Sequence, residues 1–370
     1  MLVAGLALVT ALFLYHRFVA GFRLVGDWHP IRLHWVFLLA TVFVAAYGVV
    51  PAVRRRRFLA RVWGRLRRKP GTLLAGGFLA ALVLVGLVGP VFAREPGLSF
   101  QYAFHPPFGF SSEIVPTECV GEVTGGAFDK RCHGSLRFPL GTDVRGFPMT
   151  FQLAAGARTA LYVLVITGAF VVPLAAAIGL LAGFHGGRLD DVLMAYVDVQ
   201  LSIPAVIIYF VGFMLYGPSL LLLLGTFGLL SWGGIARLVR SETLQRREEG
   251  YVLVARSLGA PRSYVARKHV LPNITNTLVP AVFNLLALFV LIEAGIAFLG
   301  FHETLFRSWG STISEALGVV NLGPQPPSEH AAHEIWWIST LPALALTATL
   351  LSLKVFGDGL RDALDPRGER

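Results

Sequence analysis

This chain is short of charge. Only 15% of its 370 residues are Asp, Glu, Lys or Arg, against 55% hydrophobic and a mean hydropathy of +0.64. That is more apolar surface than one water-facing core consumes, and it marks an integral membrane protein. Cysteine is nearly absent, with two residues, which excludes a disulfide-dense secreted scaffold. There is no G-x-x-x-x-G-K-[ST] phosphate loop, no H-E-x-x-H and no G-x-S-x-G. No soluble catalytic domain is therefore visible, and energy for any work must come from an ion gradient or from another polypeptide. Acidic residues are the scarcer sign, 22 against 32 Lys and Arg. The excess cations cluster at the borders of apolar runs, where topology and anionic lipid headgroups account for them; membrane lipid is the expected partner and nucleic acid is not.

Long apolar runs are what the chain has in abundance. Crossing about 30 Å of hydrocarbon takes roughly 18 or more such residues. Seven runs qualify, at 35–52, 73–93, 159–184, 192–213, 218–236, 278–300 and 336–356, with a shorter one at 1–15. The last is read as a span; a cleavable signal peptide is the rival, but no basic region precedes it and no small-residue cleavage site follows. The segment 54–69 carries nine cations and no acid, and 237–268 carries eight cations against three acids. By the Lys/Arg bias both are cytoplasmic, whereas 94–150 and 301–335 are extracytoplasmic, and both termini fall inside. The segment 16–34, with three Arg and one Asp, runs against this topology.

Cys119 and Cys132 share the 94–150 segment. In an oxidising compartment the pair reads as a disulfide, with two free thiols or a sparse metal site as alternatives. His330, His333 and Glu334 could form a weak metal site, or a solvated loop; no metal is expected. Asp198 and Glu293 fall within apolar runs, where a carboxylate is costly and must face protein or water. They are either proton-relay groups or hydrogen-bonded structural carboxylates.

The stretch Gly250 to Asn273, "GYVLVARSLGAPRSYVARKHVLPN", has five basic residues, His269 among them, and no carboxylate. Tyr251, Val254 and Leu258 recur at helical spacing, Gly259 and Pro261 stop the helix, and a second short helix is expected from Arg262 to His269, ending before Leu271 and Pro272. The product is a helix-turn-helix elbow. On spacing alone it is equally an amphipathic hairpin lying on lipid.

The stretch resembles the cytoplasmic "EAA" loop of binding-protein-dependent ABC importer permeases, roughly E-A-A-x3-G-x9-I-x-L-P. Ala255, Gly259, Leu271 and Pro272 match in spacing, while Leu253 and Val254 replace the Glu and first Ala and His269 replaces the Ile. "PLGTDVRGFPMTFQLAAGART", "LLAGFHGGRLDDVLMAYVDVQLSIP", "EAGIAFLGF", "SWGSTISEA" and "FGDGLRDALDPR" resemble segments of the dipeptide/oligopeptide branch, in its second permease subunit. Phe147 and Pro148 depart from that branch's Arg-Asp. The resemblance covers about residues 60–370.

The resemblance implies an all-α polytopic membrane bundle in the cell membrane with a six-span permease core; residues 1–53 lie outside it, and their apolar runs add two further spans. Its parts would be an N-terminal membrane segment 1–53, a basic linker 54–71 and a core 72–370 with a coupling loop 239–276. The chain would pair with a second permease subunit, two ATP-binding subunits and an extracytoplasmic solute-binding protein. It would hold no cofactor itself, ATP and Mg being bound by the ATPases, and would catalyse no bond chemistry. The implied ATPase-coupling residues are Glu249, Tyr251, Ala255, Arg256, Leu258, Gly259, Ala260, Leu271 and Pro272, and Glu248 or Glu249 would stand in for the missing Glu. A proton-coupled secondary transporter using Asp198 or Glu293, or a membrane scaffold, are the alternatives.

Overall fold

A computed structural model of the chain describes residues 1–20, 29–92, 96–126, 129–303, 306–317 and 332–365. Among the described residues, seven helical segments are long and apolar enough to cross a membrane: Leu2–Val19, Arg32–Arg54, Pro70–Gly89, Met149–His185, Leu220–Arg247, Lys268–Phe298 and His333–Leu364. An eighth passage is a helix pair, Gly187–Ser202 and Ala205–Tyr216, bent by 67°. The bend has a local cause. Pro204 disfavours helical backbone in the residue before it, and Ile203 is extended, at φ −91° and ψ 118°. The expected run at 192–213 is thus a broken passage. Residues 21–28 of the 16–34 segment lie outside the described residues, as does His330, so the candidate cluster it forms with His333 and Glu334 is not described as a whole.

The chain divides into two compact units. The first comprises 1–75, 163–289 and 353–370. At its centre, helix Val172–His185 packs on helix Gly233–Arg247. Gly179 and Gly183, four apart, make this contact. A Cβ on Gly179 would meet the Ala236 carbonyl and Val239, and one on Gly183 would lie 2.7 Å from the Arg240 carbonyl and Thr243. Small residues at this spacing let helix backbones approach closely, the usual basis of helix association in lipid. The N-terminal spans join this unit through Phe43, which packs edge-on against Phe170 at 5.7 Å.

The second unit comprises 76–162 and 290–352. Its 94–150 segment carries a small antiparallel sheet that sequence periodicity did not indicate. The strands β1 (Ser111–Ser112), β2 (Val123–Thr124) and β3 (Arg131–His133) are ordered β1-β3-β2. Cys132 opposes Ser112 on one side and Val123 on the other. Below the sheet, Phe104, Ile114, Val144, Met149, Trp337 and Ile338 share a buried cluster. Trp337 donates its indole N–H to the Thr142 carbonyl at 3.0 Å, over Gly141, whose φ is +78°.

Candidate functional site

The elbow grows out of helix Gly233–Arg247, and that helix is firmly held. Arg240 Nε and Nη2 donate to Asp190 Oδ1 and Oδ2 at 2.5 and 2.6 Å. Two turns further on, Arg247 donates to the Gly183 carbonyl at 3.0 Å. The helix also ends on cations, Arg246 and Arg247, which suits the negative end of its dipole. Arg246 lies 3.7 Å from Glu249 and 3.9 Å from Glu242.

The next helix, Gly250–Ser257, starts at Glu249, whose carbonyl accepts the Val252 and Leu253 amides at 2.9 and 3.1 Å. It ends in a Schellman-type turn: the Ala260 amide donates to the Ala255 carbonyl at 3.1 Å across Gly259, whose φ is +82°. Only glycine takes this backbone without strain. Val252, Val265 and Val270 are wholly buried. Tyr251, Val254 and Leu258 point outward instead, Leu258 at 82% exposure. The apolar stripe read from the sequence is therefore an outer face. Leu253, at the position of the missing Glu, is half exposed. The side chain of Arg256 lies outside what the structure describes.

The second arm differs from expectation. It does not end at His269: helix Arg262–Val265 passes through a widened turn, Ala266–Val270, straight into helix Leu271–Phe298. Leu271 and Pro272 thus open the long helix rather than follow a stop. Proline lacks an N–H and its ring crowds the carbonyl four residues back, and a widened turn is one way a helix absorbs that defect. His269 sits between Tyr251 and Tyr264, with ring centroids 6.4 and 5.9 Å away. Asn273 donates to the His269 carbonyl at 2.6 Å and to the Tyr251 hydroxyl at 3.2 Å, tying the two arms together.

The two carboxylates expected within apolar runs have different surroundings. Asp198 is exposed and pairs with Arg237. Glu293 is buried and accepts from Ser308 Oγ at 3.0 Å. Ser308 in turn caps helix Trp309–Ala316, accepting the Gly310 amide at 3.2 Å. Trp309 donates to the Leu153 carbonyl at 3.1 Å and lies over Gly156. The motif "SWGS" is thus a cap and anchor built on Glu293.

In the 94–150 segment Cys119 and Cys132 form a disulfide, with Cα atoms 5.9 Å apart. His105 has its imidazole near both sulfurs, but with the sulfurs bonded to each other no thiolate is available to bind a metal. Burial lowers the His105 pKa, against its contact with the Pro106 carbonyl, and Arg137 lowers it further.

A polar cluster that the sequence reading did not single out lies close by. Asp143 Oδ1 accepts the amides of Arg145 and Phe147, both at 2.8 Å, and Gln152 donates to Oδ2. Arg145 reaches Glu315 at 2.8 Å, and the Arg307 guanidinium stacks 4.0 Å from the Phe147 ring centre. Burial raises the Asp143 pKa, opposed by those hydrogen bonds. It pushes Glu315 up to about 7, with Arg145 and Arg307 opposing and Asp143 adding. His302 is lowered by burial and by the two arginines. The signal was present in "GTDVRGF", where an Asp and an Arg flank a turn; their partner Glu315 is 170 residues away from Arg145.

Among the described residues, seven apolar helices and one bent helix pair, with the elbow between two of the spans, define a polytopic membrane protein. Residues 175–370 match the model of the binding-protein-dependent transport system inner membrane component, more than half of the chain, and the chain belongs to that family. It is similar to the oligopeptide transport system permease protein OppC of Haemophilus influenzae, 31% identical over 62% of this chain and 70% of the relative. It is 30% identical to the dipeptide transport system permease protein DppC of Bacillus subtilis over 62% and 69% of the two chains. The DppC of Lactococcus lactis matches more of the length, 26% identical over 84% of this chain and 91% of its own. This chain is a multi-pass membrane transport subunit.

Proposed function

We propose that the chain is a permease subunit of an ATP-driven importer of peptides or related small solutes, and that the elbow 239–276 couples ATPase movement to alternating access. One observation carries the coupling assignment: Tyr251, Val254 and Leu258 form an exposed apolar face on a short helix whose own base is clamped by Arg240 and Arg247. A face that is exposed yet rigidly mounted is suited to receive force. Glu249, Ala255, Arg256 and Ala260 lie on the same helix or its turn, and Leu271 and Pro272 carry the motion into the long helix.

ATP and Mg belong on two partner ATPases, and this chain holds no cofactor. A second permease subunit completes the pathway, and an extracytoplasmic solute-binding protein delivers substrate. Both termini and the 54–69 and 237–268 segments are cytoplasmic, following the Lys/Arg bias. Residues 1–53 form a module appended to a core at 72–370, with 54–71 as linker. Glu293, capped by Ser308, serves as a structural carboxylate rather than a proton carrier.

The experiment is reconstitution with the partner permease, both ATPases and a loaded binding protein. Expected is uptake that requires ATP and survives collapse of the proton gradient. Uptake driven by a pH gradient alone would instead support a secondary transporter.

A further inference from the structure

Between two spans lies a helix that crosses nothing. Arg56–Leu66 is 11 residues long, too short and too charged to traverse hydrocarbon. It is separated from the span Arg32–Arg54 by a break at Arg55, with φ −94° and ψ 55°, and the next span begins at Pro70. A third span end grips it from the side. Val62 and Leu66 pack against Leu360, Ala363 and Leu364. Arg65 donates to the carbonyls of Ala363 and Asp365 at 3.0 and 2.9 Å, and Lys69 pairs with Asp362 at 2.5 Å. Three span ends therefore pin this helix at the membrane border.

Its surface is divided in two. The middle of the apolar arc, Val62 and Leu66, faces protein, while its flanks are left outward, with Phe58 and Leu59 exposed and Trp63 at 59%. The opposite arc carries Arg56, Arg57, Arg61, Arg67 and Arg68, all exposed, and 54–69 contains no carboxylate. Beside the break, a recess of about 440 Å³ is lined in part by Tyr47, Pro51, Arg54 and Arg55. An aromatic flank beside a cationic arc fits the headgroup layer, where rings settle at the acyl boundary and guanidiniums meet phosphates. We infer that helix Arg56–Leu66 is a lipid-binding element that seats on an anionic phospholipid bilayer surface and anchors the end of helix Trp336–Leu364 to it.

Charge complementarity selects that occupant over a zwitterionic bilayer or a protein surface. The test uses the full chain with its disulfide closed, so that Leu59→Cys supplies the single reactive thiol for a spin label. In vesicles of phosphatidylcholine mixed with phosphatidylglycerol, the label should lie at bilayer-boundary depth, and deeper than in phosphatidylcholine alone. In parallel, chain purified from the mixed bilayer is assayed for retained lipid. Phosphatidylglycerol should be enriched, and the enrichment should fall at least about threefold in Arg56→Gln/Arg57→Gln/Arg61→Gln but persist when the same three become Lys. These positions leave the Arg65 and Lys69 contacts intact. High salt on the unaltered chain gives the same reading without any substitution, because screening should erode the enrichment. Equal retention in the Gln and Lys variants, insensitivity to salt, or a fully water-exposed label in the anionic vesicles would overturn the inference. Retention of a co-purifying protein at this face with no lipid selectivity would overturn it equally.

Discussion

Arg240 closes on Asp190 with two parallel contacts, and this joins the helix leading into the elbow to the first turn of the helix Gly187–Ser202. Asp190 is nearly enclosed there, its side chain 10% exposed, while Arg240 is at 34%. The planar fork is what lysine cannot reproduce. Arg240→Lys should cost about 1–2 kcal/mol and Arg240→Ala about 2–3 kcal/mol, the second leaving a mostly buried carboxylate without its cation. Thermal unfolding in detergent, completed as a double-mutant cycle with Asp190→Asn, checks both. Additive losses would show that the pair is not coupled.

Gly259 offers a sharper test, because a Cβ there would meet nothing within 4 Å. Within this chain a Cβ meets no clash, so the strain of substitution comes from the backbone. Gly259→Val should cost about 1–2 kcal/mol locally, since a β-branched residue resists positive φ, and Gly259→Asn should be much milder. The chain should insert normally in both. Hydrolysis stimulated by loaded binding protein should be lost in the Val variant and retained in the Asn variant; wild-type stimulation in both would remove the elbow from the coupling path.

The disulfide closes a short loop, so its removal should act locally. Cys119→Ser/Cys132→Ser should destabilise the 111–133 sheet by about 2–3 kcal/mol. Hydrogen exchange should rise in that sheet and stay unchanged in helices Val172–His185 and Gly233–Arg247. Intact mass before and after reduction should differ by two hydrogens.

Glu315 gives a pH dependence whose sign follows from its raised pKa. The folded state holds its proton up to about pH 7, while the unfolded chain releases it near the ordinary carboxylate value. The fold therefore binds more protons in that window, and stability of this region should fall as pH rises from about 4.5 to 7, then level off. Asp143, raised for the same reason, acts in the same direction. Glu315→Gln keeps an acceptor for Arg145 and should flatten the curve, as measured by exchange of the Trp309–Ala316 amides across pH. An unchanged slope would assign it to other groups.

Gly179→Leu should prevent the close contact at the Ala236 carbonyl. The expected result is little monodisperse protein in detergent, whereas Gly225→Ala, in open space, should be tolerated.

The spans were legible because hydrocarbon demands long apolar runs, a constraint that acts residue by residue along the chain. The turn at Gly259 was legible for a similar reason, since its signal is local. What was missed depends on distance or on neighbours. Arg240 and Asp190 are separated by 50 residues, and nothing in either segment announces the other. The short strands at 111–133 alternate too briefly to register as a pattern, and pairing with one another defines them. The end of the second elbow arm was misread because Pro272 looks like a stop, and the widened turn that absorbs it depends on hydrogen-bond geometry rather than residue type.

That continuity has a mechanical meaning. From Arg262 to Phe298 the chain is one helical rod, about 55 Å long at 1.5 Å per residue, and between Gly250 and Phe298 the backbone is interrupted only around Gly259. Within it Pro280 removes one backbone hydrogen bond, and with the widened turn at Ala266–Val270 marks where the rod can bend. Treated as a lever with one pivot, it would turn a tilt of about 5° at the Gly259 end into a sweep of nearly 5 Å at the other, with the residues between displaced in proportion to their distance from the pivot, so the buried contacts of Phe289 and Ala297 would have to exist in two arrangements.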